Sequence, residues 1–123
     1  MGLEDIAEVD IDSYGLERGF YKFVLVTGPN HRNYIHASSI LAFHRGVFND
    51  FKEKLSKTGA DPSKFHCTGG GLMDIKIDKK TIRAYGTSNE YHKFDVNVVR
   101  LLLEDYVIKN QAFMEVKRKY LNP

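Results

Sequence analysis

The sequence predicts an α/β fold of the α+β type, a mixed and largely antiparallel sheet of about five to six strands packed with two main helices. Three observations predict it. Phe23-Val24-Leu25-Val26 is a near-continuous apolar run suited to a central strand. Residues 73–77 and 81–85 alternate apolar with polar residues around Asp78-Lys79-Lys80, which is a hairpin pattern. Two stretches, 39–57 and 94–104, repeat apolar residues at helical spacing.

Taken in order, residues 1–18 read as a lead-in, flexible over 1–8. Within it Val9-Asp10-Ile11-Asp12 alternates and adds a short edge strand. Residues 20–26 form the first confident strand, and Gly28-Pro29-Asn30 marks the loop after it. Tyr34 to His36 is strand-like. A helix follows over 39–57, with Phe43, Val47, Phe51 and Leu55 on one buried stripe and Phe48 beside them. Gly59 suits its C-terminal cap, and Pro62 prevents continuation. Residues 64–68 lead as a strand into Gly69-Gly70-Gly71, and the hairpin comes next. The second helix covers 94–104, with Phe94, Val98, Leu101 and Leu102 sharing a face. Residues 106–109 return as a short strand, and 112–120 form a terminal helix on Phe113, Val116 and Tyr120. The whole, 1–123, is one domain, with 111–123 as a terminal extension.

Composition narrows the function classes. At 123 residues the chain can bury a core without staples, and 42% apolar with 28% charged residues is ordinary for a globular protein. Eighteen Lys and Arg against sixteen Asp and Glu leave a net charge of +2, with no basic stripe for nucleic acid. Lys117-Arg118-Lys119 reads as a solvated helix end, and a docking role for 113–120 on an acidic surface is the weakest functional reading. One cysteine cannot form an internal disulfide, which favours a cytoplasmic location. No apolar run approaches the roughly 20 residues that span a bilayer, so no membrane association is expected. The acidic start has no signal core, and Ile6 stands where myristoylation needs Ser or Thr.

The most informative segment is Cys67-Thr68-Gly69-Gly70-Gly71, with Tyr85-Gly86-Thr87-Ser88 after the hairpin. Consecutive glycines beside a strand let the backbone pass close to a ligand or to another strand. The loop from Gly86 to Asn89 can present N–H groups to an anion. His66-Cys67 before glycines suggests a cysteine-phosphatase loop. That loop needs an arginine six residues after the cysteine to grip the phosphoryl oxygens, and Met73 stands there. Cys67 therefore reads as a small buried residue. The glycines match neither a P-loop nor a dinucleotide fingerprint, and the histidines show no metal-ligand spacing. No metal and no cofactor is expected.

In this order the residues resemble the phosphohistidine phosphatases of about 14 kDa, the group that includes the janus and ocnus proteins. The resemblance runs over residues 9–110. It is carried by Val9-Asp10-Ile11-Asp12-Ser13, Tyr21-Lys22-Phe23-Val24-Leu25, the triple-glycine segment, and Asp78-Lys79-Lys80 through Ser88. Ala42-Phe43-His44 sits where the family has a Tyr-His pair. The resemblance implies His44 as the catalytic residue, Lys22 as a substrate-binding cation, and Ser88, Asn89 and Glu90 as a phosphate loop. It implies a metal-free protein-histidine phosphatase that hydrolyses the P–N bond of phosphohistidine, and of phospholysine, in partner proteins. Imidazole is largely neutral at cytosolic pH, so His44 would serve as general base or as nucleophile. A monomer is expected.

Three departures stand against full activity. His36 occupies the place of a family arginine, Leu72 that of a second cation, and Glu90 that of a small residue. Each charge-assisted contact contributes about 1.5–3 kcal/mol, so these changes weaken phosphate affinity. The rival reading is a janus/ocnus-type regulatory protein of sex differentiation or the male germ line, which binds phosphorylated partners without turning them over.

Overall fold

In a computed structural model that describes residues 6–12, 18–39, 43–76, 81–109 and 121–122, the chain builds one mixed sheet with a helix on each face. The strands are β1 (Val9–Asp12), β2 (Arg18–Thr27), β3 (Asn33–Ser38), β4 (His66–Lys76), β5 (Thr81–Tyr85) and β6 (Leu121–Asn122). The helices are α1 (His44–Lys57) and α2 (Val96–Lys109). Spatial order is β1-β3-β2-β4-β5-β6. The β1–β3 and β5–β6 pairs are parallel, and the three inner pairs are antiparallel. This is the expected α+β class.

The apolar run of β2 is explained by its position between β3 and β4, with both faces covered. Tyr21, Phe23 and Leu25 point into one core with Met73, Ile75, Ile82, Phe94, Val99 and Leu103, beneath α2. Val24 and Val26 point the other way, into a core with Val47, Phe51 and Leu55 of α1. Alternation along a single strand thus feeds two cores. Ile6 packs against the α1 core, and Glu8 pairs with Arg32 at 3.1 Å, so residues 6–8 of the lead-in are held to the domain.

The glycines serve close approach. β4 runs through them as one 11-residue strand rather than ending at them. A Cβ on Gly69 would lie 2.6 Å from the backbone Cα of Phe94, and one on Gly71 would lie 2.6 Å from the Tyr85 carbonyl. On Gly70 it would meet the His44 ring at 2.9 Å.

Several boundaries differ from the sequence reading. α2 continues to Lys109, so residues 106–109 are helix and not a strand. No glycine or proline interrupts 96–109, and Tyr106 extends the stripe of Val99 and Leu103. Leu101, expected on the buried face, is 66% exposed. Phe43 is the N-cap of α1 and 67% exposed, not part of the buried stripe, and α1 starts at His44 rather than Ser39. The Asp78-Lys79-Lys80 turn and the 112–120 helix lie outside the described residues. No described helix is long and apolar enough to cross a membrane.

Candidate functional site

α1 begins above Gly70, and the loop from Gly86 to His92 comes to the same face, where a Cβ on Gly70 would also lie 3.1 Å from the Ser88 Cβ. Between them is a cleft of about 350 Å³ lined by Lys22, Phe43, His44, Leu72, Thr87, Ser88, Asn89 and Glu90. All the residues assigned to the site from the sequence line this cleft. They arrive from β2, the start of α1 and the loop after β5, separated in sequence and joined by the sheet.

His44 is the first residue of α1 and is half-buried. Its Nε2 stands 2.8 Å from the Gly71 carbonyl oxygen. A carbonyl can only accept, so Nε2 carries a hydrogen, and in the neutral form of the ring Nδ1 is the nitrogen with the lone pair. The ring is thereby oriented by β4, and the missing side chain at Gly70 makes room for it. Lys22 projects from β2 with no partner among the described residues for its ammonium group.

The loop is organised around Ser88, which is 3% exposed. Its Oγ accepts from the amides of Glu90 at 3.2 Å and Tyr91 at 3.1 Å. Its own amide donates to the His92 carbonyl at 3.3 Å, and the His92 amide returns a bond at 2.8 Å. Left-handed backbone at Gly86 (φ 77°) and His92 (φ 66°) closes the turn. Of the three amides at 88–90, only that of Asn89 is uncommitted among the described residues.

Glu90 does not point away from the site. Its Oε1 accepts from the backbone amide of Arg45 at 3.0 Å, and its Oε2 lies 3.3 Å from the Arg45 guanidinium. α1 has no side-chain cap from Phe43 and no acidic residue in its first turn. Free amides and a positive helix end attract an anion, and Glu90 supplies one from a distant loop. A carboxylate therefore sits beside the helix end that a phosphate would also favour.

The three departures occupy different places. Leu72 and Glu90 line the cleft. His36 is fully buried, with Nε2 2.7 Å from Asp50 and Nδ1 3.2 Å from Asp10, and it is not part of the cleft lining. Lys54 completes that cluster at 3.0 Å from Asp10. The hydrogen bond from His36, followed by that from Lys54, holds the Asp10 carboxyl down at about 2.

Cys67 lies outside the cleft. Burial pushes its thiol up to about 12, and its Sγ donates to the Gly69 carbonyl at 3.4 Å. It is a thiol and not a nucleophile at neutral pH. No group of metal-ligating side chains occurs among the described residues.

A family model described as Janus/Ocnus family matches residues 3–111. The chain belongs to the Janus/Ocnus family. It is also 29% identical over 119 residues to sex-regulated protein janus-A of Drosophila pseudoobscura pseudoobscura, covering 86% of this chain and 75% of that protein. In this Janus/Ocnus chain the sequence reading missed Arg45 and placed Phe43 on a buried stripe rather than on the cleft rim. Arg45 had a signal. A cation in the first turn of a helix opposes the helix dipole, and with no acid in that turn it calls for a carboxylate from elsewhere.

Proposed function

We propose that this protein is a regulatory member of the Janus/Ocnus family that recognises phosphorylated histidine on partner proteins, using the cleft around His44 and Lys22. The observation that carries the reading is the Glu90 carboxylate on the first turn of α1, bound to both the amide and the guanidinium of Arg45. It places a negative charge beside the anion position, while Leu72 adds none of the positive charge expected there. Two of the three loop amides are also spent within the loop. Lys22 and the Asn89 amide remain to hold phosphoryl oxygens, enough for recognition but poor for stabilising the charge of a transition state. Similarity to a protein named for sex regulation supports a role in sex-specific development, and the single cysteine fits work in the cytoplasm.

A second reading, metal-independent phosphohistidine hydrolysis, is favoured by the fixed tautomer of His44. With Nε2–H held by Gly71, Nδ1 would take a proton from water as the water oxygen attacks phosphorus. The P–N bond would break with its electron pair going to the leaving imidazole nitrogen, which takes a proton from solvent. Lys22 would neutralise the phosphoryl oxygens.

One experiment separates the two. Phosphate release and binding are both measured on a phosphohistidine peptide, for wild type and His44→Ala, with a metal chelator present. Saturable binding without release supports the regulatory reading. Release that persists in chelator and disappears in His44→Ala overturns it in favour of the hydrolase. Neither binding nor release removes both.

A further inference from the structure

On the side of the sheet that carries the cleft, α1 covers only part of the surface. Its buried residues Val47, Phe51 and Leu55 pack on Val24 and Val26, and its first turn stops at the cleft. Beyond that point the strand registers define two rows of side chains. Lys22, Leu72 and Tyr85 lie opposite one another across β2, β4 and β5. Phe20, Asp74 and Arg83 form the next row. Their sequence neighbours Tyr21, Met73, Ile82 and Ala84 face the α2 core, so both rows face the opposite way.

This surface is unlike a solvated sheet face. Phe20 is 71% exposed, in the part of β2 that pairs with β4 and extends beyond β3. The Arg83 guanidinium lies over the Tyr85 ring, 5.1 Å from its centre, which holds the cation flat on the sheet. Neither Arg83 nor Lys22 has a carboxylate partner among the described residues, whereas Asp74 already has an interaction of its own. The face therefore combines exposed aromatic area with two cations that lack a carboxylate partner among the described residues, with Asp74 set between Phe20 and Arg83, and it is continuous with the cleft because Lys22 and Leu72 belong to both.

We propose that this open sheet face docks the segment of a partner protein flanking its phosphorylated residue, an extended acidic segment with an apolar side chain. The inference rests on the phosphate reading of the cleft and adds the shape of the ligand. Strand geometry sets the spacing. Phe20 is about 7 Å from Lys22 along β2, and Arg83 is about 12 Å away diagonally. An extended chain advances about 3.4 Å per residue. With phosphate at Lys22, an apolar side chain about two residues away meets Phe20 and Leu72, and an acidic one about three or four residues away meets Arg83.

The test uses the full chain, inorganic phosphate, and a peptide bearing a non-hydrolysable phosphonate analogue of phosphohistidine, with Leu at the second flanking position and Glu at the third and fourth. Phe20→Ser and Arg83→Ser remove exposed side chains, and thermal melts check that both variants fold. The expected result is that wild type binds the peptide at least about tenfold more tightly than inorganic phosphate. Each variant loses most of that gain and keeps its affinity for inorganic phosphate. The proposal is overturned if peptide and phosphate bind wild type equally, or if the variants weaken both alike. It is also overturned if sedimentation finds a dimer that Phe20→Ser dissociates, since a second copy then covers the face. Failure of the cleft reading looks different: inorganic phosphate does not bind, yet an unphosphorylated version of the peptide still binds through Phe20.

Discussion

Two histidines lie on the same side of the sheet, one beneath α1 and one at its first residue, and they end in opposite chemical situations. His36 meets a carboxylate on each side, Asp50 at Nε2 and Asp10 at Nδ1, and is fully buried. Both ring nitrogens thus face carboxylates inside the fold, and neither is turned toward a cleft. His44 meets a single carbonyl at Nε2, and its other nitrogen is uncommitted beside a cleft. The first cluster ties β1, β3 and α1 together, and the second leaves a base and a cation available. What the second ring nitrogen meets separates a histidine enclosed by the fold from one that faces a cleft.

The largest expected break of this contrast is His36→Leu. It leaves Asp10 and Asp50 with Lys54 as their remaining nearby cation among the described residues, and losing the one fully buried member of this partly exposed cluster, with its contacts to two carboxylates, costs about 2–3 kcal/mol. Urea denaturation should show that loss while inorganic phosphate binding stays unchanged. Equal loss of binding would mean the two histidines are not independent.

Gly70→Ala comes next. Its Cβ would meet both the His44 ring and the Phe23 carbonyl at 2.9 Å, so either the ring or the sheet must shift. The expected cost is about 2 kcal/mol with a displaced His44 ring signal in NMR. An unmoved His44 resonance would contradict the packing described here.

Lys22→Met sharpens the comparison from the other side. Removing a charge-assisted contact of about 1.5 kcal/mol should weaken phosphate binding about tenfold and leave stability within about 0.5 kcal/mol.

The acid limb tests the His36 cluster again. The Asp10 carboxyl is depressed in the folded state, so its contribution is present above the unfolded value of 3.8 and is lost as pH falls toward about 2. Because about a third of this side chain is exposed, the loss is discounted to about 1 kcal/mol. Stability measured between pH 4 and pH 2 should fall less in Asp10→Asn than in wild type.

Glu90→Gln has the smallest expected effect. It removes the carboxylate on α1 at a cost of about 0.5–1 kcal/mol in stability. In return, phosphate affinity should rise several-fold by isothermal titration. A fall in affinity would mean that Glu90 orders Arg45 for the ligand and does not compete with it.

The two helix starts show how much of the molecule was legible. α2 is capped by Asp95, whose Oδ1 accepts from Asn97 at 3.0 Å and Val98 at 3.2 Å, and such a local cap can be read from adjacent residues. α1 is capped by Glu90 across 45 positions of sequence; its first turn signals the need for a carboxylate, but no local pattern says which one supplies it. The exposure of Phe43 has the same origin. Periodicity places it on the stripe of Val47 and Phe51, but the helix starts one residue later and leaves its ring on the cleft rim. On the second helical face Phe94, Val98 and Leu102 do pack on the core and Leu101 does not, because these apolar residues look alike to a helical period. Only the sheet beneath distinguishes Leu101 from Leu103.

By itself the sequence determined the α+β class, the central place of β2 and the β4–β5 pairing, and through the family resemblance it named five residues that line the cleft, His44, Lys22, Ser88, Asn89 and Glu90. Each of these follows from alternation, from helical spacing, or from residue types in a recognisable order. Only the tertiary structure decided that His36 is locked between carboxylates, that Glu90 is bound to the start of α1, and that Phe20 and Arg83 stand exposed on the sheet face beside the cleft. Those outcomes depend on which groups approach across the sheet within a few ångströms, and hydrogen bonds and ion pairs act over that distance rather than along the chain.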